Sequence, residues 1–149
     1  MYCYDFKVVL QEVPGEISLC FSISGCPLRC RGCHSPFLWK EGAGTKMTAD
    51  GYADILHRYF GFATCVVFMG GEWHPEELIA HLKMARERGY KTCLYTGKEQ
   101  VNARLLEQLT WVKTGSWRSE LGGLKSATTN QKFIEVKNNK ICNHLFIQN

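Results

Sequence analysis

The fold is decided by residues 17–33, which read Ile17-Ser18-Leu19-Cys20-Phe21-Ser22-Ile23-Ser24-Gly25 and then Cys26-Pro27-Leu28-Arg29-Cys30-Arg31-Gly32-Cys33. In the first part, apolar residues alternate with small polar ones, which is the period of a β-strand with one apolar face. This strand runs straight into three closely spaced cysteines. We therefore expect the cysteines on a loop at the carboxyl end of a strand.

Strands and helices alternate on both sides of this stretch. Upstream, residues 6–10 are predicted to form a strand, joined to residues 17–24 by a turn at Val13-Pro14-Gly15-Glu16. Downstream, Thr48 is expected to cap one helix, and a second helix begins at Pro75 and ends before Gly89. Residues 31–45 have no clear period and are expected to be a loop. The remaining predicted elements are strands over residues 64–69, 91–96, 111–114, 132–136 and 140–146, a helix over residues 102–109, and a hairpin turn at Asn138-Asn139.

This alternation predicts an α/β domain with a mainly parallel sheet. A closed eight-unit (β/α) barrel takes about 250 residues, so a chain of this length supplies at most about five units. We therefore expect one domain, residues 1–149, built as a truncated, open partial barrel.

The composition excludes several classes of protein. The chain is 45% hydrophobic and 21% charged, which is typical of a globular protein and not of a disordered or fibrous one. Apolar runs such as residues 65–69 are far shorter than the roughly 18 residues of a membrane span, and residues 1–5 do not resemble a secretory signal. Eighteen Lys and Arg against 14 Asp and Glu is too weak an excess to indicate a nucleic-acid partner. We expect a cytoplasmic protein with no membrane or nucleic-acid partner.

Three of the eight cysteines are clustered within eight residues, while the other five are dispersed along the chain. This difference indicates a chemical role for the clustered three. In a reducing compartment, clustered cysteines are metal ligands or redox groups more often than disulfides. A 4Fe–4S cluster has four iron corners, so Cys26, Cys30 and Cys33 would leave one iron without a protein ligand. An alternative is a zinc site completed by His34, or an electron-transfer module without further chemistry.

The pattern Cys26-x3-Cys30-x2-Cys33 after a first strand resembles the signature of the radical S-adenosylmethionine (SAM) superfamily. Within it, the chain is similar to the activating proteins of anaerobic ribonucleoside-triphosphate reductase. The matching segments, which cover nearly the whole chain, are Gly25 to His34, Pro36 with Trp39, Gly70-Gly71-Glu72, Tyr95-Thr96-Gly97, Val112-Lys113-Thr114-Gly115 and Thr128-Thr129-Asn130-Gln131. Two residues depart from the pattern: Gly32 stands where most of the superfamily has an aromatic or larger apolar residue, and Ser35 where this branch commonly has asparagine.

The resemblance implies a partial barrel of the radical SAM type that carries a 4Fe–4S cluster and binds SAM. Reductive cleavage of SAM would give methionine and a 5′-deoxyadenosyl radical, which would take a hydrogen atom from a glycine Cα of the reductase. The cofactors would carry the chemistry, so no side chain is expected to act as a catalytic group. The implied partners are the glycyl-radical subunit of the reductase and a one-electron donor such as flavodoxin or ferredoxin. The same chemistry would serve another glycyl-radical enzyme.

The resemblance also implies contacts with SAM beyond the cysteines. Gly70 and Gly71 would let the backbone approach its methionine end, although glycine pairs also form ordinary tight turns. Glu72 would lie near the SAM amino group, or be an exposed turn carboxylate.

The other implied contacts come from later strand ends and from the cysteine loop. Thr96 and Gly97 follow the next strand, where ligands gather in parallel sheets, or they form a simple turn. Lys113 would pair with the SAM carboxylate or be solvated, and His34 would pack beside the cluster or SAM.

Positively charged residues also surround the cysteine loop. Arg29, Arg31 and Lys40 would either tune the cluster and meet an acidic partner, or simply be solvated.

Overall fold

The computed structural model describes residues 1–147 of the chain. The strands are β1 (Tyr2–Val9), β2 (Ser18–Ile23), β3 (Thr45–Lys46), β4 (Cys65–Met69), β5 (Lys91–Tyr95), β6 (Trp111–Thr114), β7 (Lys132–Glu135) and β8 (Lys140–Ile141). The α-helices are α1 (Ala49–Arg58), α2 (Pro75–Glu87) and α3 (Ala103–Leu106). Two short 3-10 turns cover Pro36–Leu38 and Asn143–Phe146.

The strands form one sheet in the order β3-β1-β2-β4-β5-β6-β7-β8. The four central strands β2, β4, β5 and β6 are parallel, while β1 and β3 at one edge and β7 and β8 at the other are antiparallel. The two edge strands β3 and β8 do not pair with each other, so the sheet is open. The structure confirms an α/β domain with a mainly parallel core and an unclosed sheet.

The alternation in β2 separates the two faces of the sheet. Leu19, Phe21 and Ile23 lie in the apolar core that also contains the buried residues of the helices. Cys20 faces the opposite side, in a second apolar cluster where Val13 of the β1–β2 connection is buried. A one-residue alternation therefore builds a core on each side of the sheet.

Several predicted ends of elements are confirmed. The hydroxyl of Thr48 accepts a hydrogen bond of 3.0 Å from the amide of Gly51 and caps α1. Helix α2 begins at Pro75, and Gly89 follows its carboxyl end with a φ of +88°. The continuous apolar run before Gly70 forms β4, which is buried on both faces over residues 65–68.

The predicted strand over residues 140–146 is wrong beyond Ile141. The side chain of Asn143 takes the place of a pairing strand: its Oδ1 accepts from the amide of Phe133 at 2.7 Å, and its Nδ2 donates to the carbonyl of Gln131 at 2.9 Å. Because a side chain makes these hydrogen bonds to the backbone of β7, the chain no longer has to continue as a strand, and it forms the 3-10 turn at Asn143–Phe146.

Three further differences concern the bounds of elements. The helix predicted over residues 102–109 is only the single turn α3, and the carbonyl of Gln108 beyond it accepts a 2.5 Å hydrogen bond from the Thr92 hydroxyl. Strand β1 begins earlier than expected and ends before Leu10, which is 65% exposed. The predicted loop over residues 31–45 ends in the short edge strand β3, which has no apolar alternation to reveal it.

Within residues 1–147, no helix combines the length and the apolar composition that crossing a lipid bilayer requires.

Candidate functional site

The cysteine loop leaves the carboxyl end of β2 and folds back on itself. The amides of Gly25 and Cys26 both donate to the carbonyl of Leu38, at 2.7 and 2.9 Å, which holds the start of the loop beside its end. The amide of Cys33 donates to the carbonyl of Cys30 at 3.0 Å and closes a tight turn. The three cysteines therefore lie at a strand's carboxyl end, as the sequence predicts.

A cavity of about 200 Å³ lies beneath this loop. Cys26, Cys30 and Cys33 all line it. So do five of the other predicted residues, which follow β4 and β5 or lie within β6: Gly70, Glu72, Thr96, Gly97 and Lys113. The structure thus brings eight of the ten predicted site residues to one cavity at the carboxyl ends of the parallel strands.

The other two predicted residues lie elsewhere. His34 lines an adjoining cavity of about 740 Å³, which shares Cys33, Lys113 and Trp117 with the first. Gly71 lines neither cavity: a Cβ there would lie 3.3 Å from Cγ1 of Ile23, on the side of the helix-bearing core. Its chain neighbours Gly70 and Glu72 both line the first cavity, and contact between the Gly71 backbone and SAM stays a prediction.

Glu72 is buried in the cavity wall and is not an exposed turn carboxylate, with only 7% of its surface exposed. Its Oε1 accepts a hydrogen bond of 2.6 Å from the hydroxyl of Thr96. Its Oε2 is buried and has no hydrogen-bond partner within residues 1–147. A buried carboxylate oxygen without a partner is costly, so this atom is suited to a positively charged group entering the cavity.

Lys113 reaches the same cavity from β6. Its Nζ donates to the carbonyls of Thr96 and Gly115, at 3.1 and 3.0 Å. Burial of the ammonium group lowers the pKa of Lys113 to about 8, an effect that the neighbouring Cys30 and Glu72 oppose. Two backbone carbonyls therefore hold the amine of Lys113 at the cavity. Lys113 is buried and is not the solvated lysine that the sequence left open.

Neither Gly70 nor Gly97 has room for a side chain. Gly70 has a φ of +82°, and a Cβ there would lie 2.5 Å from Cη2 of Trp73. At Gly97 a Cβ would lie 2.5 Å from Cδ1 of Leu28, a residue of the cysteine loop. Both glycines thus permit close approach of other parts of the chain around the cavity.

Backbone amides lie against the sulfurs of two of the three cysteines. All three are free thiols. The amide of Ser35 donates to Sγ of Cys33 at 3.3 Å. At Cys26 burial raises the thiol pKa, while the backbone amides of Leu28 and Arg29 act in the opposite direction. Amides directed at cysteine sulfurs stabilise thiolates and are among the groups that tune iron–sulfur clusters. This donor set fits a 4Fe–4S cluster, in which each cysteine binds a different iron.

A single-ion site is not assembled here. Across residues 1–147, no three His, Cys, Asp or Glu side chains are close enough together to hold one metal ion. A tetrahedral zinc ion would need Cys26, Cys30, Cys33 and His34 to meet around one point. His34 instead packs against Trp117, with ring centroids 4.4 Å apart.

Trp117 is the functional candidate that sequence reasoning missed. It lines both cavities, and its Nε1 lies 3.6 Å from the position of a Cβ built on Gly32. The indole therefore stands where a larger side chain at Gly32 would project. The available signal was its place in the chain, three residues after the end of β6, because ligands gather at the carboxyl ends of parallel strands.

The Thr-Asn-Gln segment braces the backbone next to Trp117. Nδ2 of Asn130 donates to the carbonyl of Ser116 at 3.0 Å, and Nε2 of Gln131 donates to that of Gly115 at 3.5 Å. Gln131 also lines both cavities. The segment thus positions the connection that carries the indole.

The dispersed cysteines lie outside both cavities. Cys20, Cys65, Cys93 and Cys142 are buried in the second apolar cluster, and Cys3 packs at the edge of the first. Cys65 and Cys93 are packing residues, and so is Cys20, which lines neither cavity.

Comparison with known proteins agrees with this reading of the cysteines. A family model described as "4Fe-4S single cluster domain" matches residues 13–114. The chain is also 36% identical over 93 residues to the pyruvate formate-lyase-activating enzyme of Clostridium pasteurianum. That similarity covers 58% of this chain and 39% of the clostridial enzyme, so the chain spans well under half of that relative.

Proposed function

Since the chain belongs to the family of 4Fe-4S single cluster domains, we propose that it is a radical SAM activase that forms a glycyl radical on anaerobic ribonucleoside-triphosphate reductase. The observation that carries this proposal is the convergence of three cysteines with Glu72 and Lys113 on one cavity. The similarity to an activating enzyme supports the same class of activity.

A bound 4Fe–4S cluster would, once reduced, supply one electron to SAM, and the break of a carbon–sulfur bond in SAM would provide the radical chemistry needed to take a hydrogen atom from a glycine Cα. The chain contributes one thiolate each from Cys26, Cys30 and Cys33. Because a 4Fe–4S cube has four irons, one corner would remain for the amino and carboxylate groups of SAM.

The buried Oε2 of Glu72 offers an acceptor for the positively charged amino group of SAM. Thr96 fixes the other oxygen of the same carboxylate, so Glu72 is oriented before the ligand arrives. Lys113 of β6 places its amine at the same cavity, where it would pair with the negatively charged carboxylate of SAM. These residues bind and orient, and none of them transfers a proton.

Access to the site is limited by the residues around it. Leu28 lies against Gly97, and Trp117 lines both the smaller and the larger cavity. The larger cavity is where a glycine-bearing loop of the target would enter. We place the domain in the cytoplasm as one partial barrel of the radical SAM type over residues 1–149, and we propose flavodoxin or ferredoxin as its electron donor.

The choice of target rests on the segments resembling the reductase activating proteins, above all Thr128-Thr129-Asn130-Gln131. A different glycyl-radical enzyme is the alternative, because the name of the clostridial relative refers to pyruvate formate-lyase.

Electron paramagnetic resonance separates these targets. The reconstituted protein is reduced anaerobically with dithionite and incubated with SAM and either the reductase or pyruvate formate-lyase. We expect a glycyl-radical signal with the reductase. A signal with pyruvate formate-lyase alone would overturn the target but not the chemistry. Metal analysis showing one zinc per chain, in place of about four iron and four sulfide, would overturn both.

A further inference from the structure

The outer edge of β1 is unpaired over most of its length. On its inner edge, β1 pairs with β2 from Cys3 to Val9. On its outer edge, β3 pairs only with Tyr2 and Cys3. Because β3 is the last strand of the sheet on this side, no strand within residues 1–147 lies beside the rest of that edge. The amides and carbonyls of a strand point alternately to its two edges, so residues 5–9 offer hydrogen-bonding groups to a further strand.

A cavity of about 380 Å³ adjoins this free edge. Asp5 and Phe6 of β1 line it, together with Phe21 of β2 and with Tyr52 and Ile55 of α1. It therefore lies on the helix-bearing face of the sheet, between β1 and α1. None of its lining residues lines either cavity of the candidate site. An apolar pocket beside an unpaired strand edge is the combination by which a sheet accepts an added strand.

The far end of the same strand carries unburied apolar side chains. Val8 is 44% exposed, and Leu10, just after the strand, is 65% exposed. Val8 lies opposite Leu19, which belongs to the helix-bearing core, so Val8 lies on the same face of the sheet as the cavity. One strand therefore has an apolar cavity near its beginning and exposed apolar side chains near its end.

These two halves complement each other in an antiparallel pair of identical strands. A two-fold axis brings the beginning of one strand beside the end of the other, and each patch then meets its complement. Residues 4–10, which we term the β1 edge, are the part that β3 does not cover, and Lys7 is their midpoint. An axis at Lys7 places Phe6 of one copy opposite Val8 of the other. Val8 of each copy would then cover the cavity of its partner.

The charges on the opposite face of the β1 edge fit the same arrangement. Asp5 and Lys7 lie opposite Ser22 and Cys20, are both exposed, and make no ion pair within the described part of the chain. A lysine on a free edge usually prevents pairing with another chain. In the two-fold pair, each Lys7 lies opposite Lys7 of the other copy and diagonal to its Asp5, so two carboxylates offset the two ammonium groups.

We propose that the β1 edge joins two copies of this chain as an antiparallel strand pair, with Lys7 on the two-fold axis. The two sheets become one continuous sheet. Apolar contact at the two cavities stabilises the dimer, and the register is fixed because a slip of one residue would turn Val8 away from the cavity. The β1 edge lies outside both cavities of the candidate site, so dimerisation leaves that site open.

Anaerobic sedimentation velocity over a range of protein concentrations measures the monomer–dimer equilibrium of the reconstituted protein. We expect the wild type to dimerise reversibly. K7D should dimerise at least tenfold more weakly, because four carboxylates would then meet at the interface. D5K/K7D exchanges the two charges and should regain most of the wild-type association. Since D5K/K7D carries the same change at Lys7 as K7D, its recovery separates charge pairing from damage to the strand.

A matched control makes the same change in net charge elsewhere. K83D alters an exposed lysine of α2 and should associate like the wild type. Amine cross-linking of the wild type locates the contact without any substitution. A short amine-reactive reagent should join Lys7 of one copy to Lys7 of the other, and a cross-link between two identical peptides cannot form within one chain.

A wild type that stays monomeric up to its solubility limit would overturn the proposal and leave the β1 edge to a segment of a different protein. A dimer that K7D does not weaken, that D5K/K7D does not restore, or that lacks the Lys7–Lys7 cross-link would overturn it too. Assemblies that keep growing with concentration would show head-to-tail pairing in place of a closed dimer. None of these results concerns the cluster or SAM, so each would leave the proposed function intact.

Discussion

The hydroxyl of Thr96 donates a 2.6 Å hydrogen bond to Oε1 of Glu72. The two residues follow β4 and β5, which are neighbouring parallel strands, so the bond joins two strand ends across the floor of the cavity. It fixes one oxygen of a buried carboxylate and leaves the other, Oε2, without a partner. Glu72 is thus oriented by one neighbour and available to a ligand.

Replacing Thr96 with valine should weaken SAM binding about tenfold, because a lost hydrogen bond to a buried charged group costs about 1.5–3 kcal/mol and part of this falls on the unbound protein. Equilibrium dialysis with the reconstituted protein measures the dissociation constant. The control is E76Q, which alters an exposed carboxylate on α2 paired with Arg104 and should leave SAM binding unchanged. Equal affinity in T96V and the wild type would show that the Glu72 carboxylate does not contact SAM.

Gly70 should tolerate no side chain. G70A adds a Cβ 2.5 Å from the Trp73 ring at a φ of +82°, whereas G89A adds one in open space at a φ of +88°. The left-handed conformation costs each variant about 1–2 kcal/mol. Overpacking should lower the free energy of unfolding of G70A by about a further 1–3 kcal/mol. Anaerobic urea unfolding measures both, and equal losses would mean that Trp73 moves aside freely.

Trp117 should matter to the site although it lies far from the cysteines in the chain. W117A removes the ring that packs on His34 and lies next to Gly32. Because this ring lines both cavities, its loss should widen the opening between them. We expect SAM to bind at least fivefold more weakly to W117A, and W117F to retain most of the affinity because an aromatic ring persists. W111F, at a tryptophan that stacks on Phe133 away from both cavities, is the control. Unchanged binding by W117A would exclude this role.

The two groups of cysteines should differ in reactivity toward iodoacetamide. Burial raises the pKa values of Cys20 and Cys65 to about 12, so their thiolates are about 10,000-fold scarcer than their thiols at pH 8. In cluster-free protein at pH 8, mass spectrometry should find Cys30 and Cys33 alkylated and Cys20 and Cys65 unmodified. The thiolate fraction at the buried pair rises about tenfold for each pH unit up to the pKa. Alkylation of Cys65 as fast as Cys30 at pH 8 would contradict the buried placement.

Local pattern was sufficient for the elements with strong periodicity or clear ends. The apolar run of β4, Pro75 at the start of α2 and Gly89 after it were all readable, because each signal lies within a few residues of what it determines. The strand predicted beyond Ile141 failed because, after one backbone bond from the Cys142 amide to the Phe133 carbonyl, the side chain of Asn143 makes the remaining bonds to Phe133 and Gln131. A hydrogen bond from a side chain in place of a backbone group leaves no periodic pattern in the sequence.

Most residues that line the cavity were predictable from the sequence, whereas the contacts among them were not. The cysteine spacing and the strand-end glycines point to Cys26, Cys30, Cys33 and Gly70 directly. The bond between Thr96 and Glu72 joins residues 24 apart, and the packing of Trp117 on His34 joins residues farther apart still. Glu72 and Thr96 meet because β4 and β5 are neighbours in the sheet, whereas His34 and Trp117 follow β2 and β6, which have two strands between them. Only the fold brings either pair together.

The central claim is that three cysteines, and only these, hold a cluster with a corner free for SAM. Anaerobic liquid chromatography should find 5′-deoxyadenosine and methionine in equal amounts when the dithionite-reduced wild type is given SAM. C142A, which alters a buried cysteine remote from the cavities, should behave like the wild type, while C30A should lose both the iron and the products. A C30A protein that still cleaves SAM would contradict the assignment.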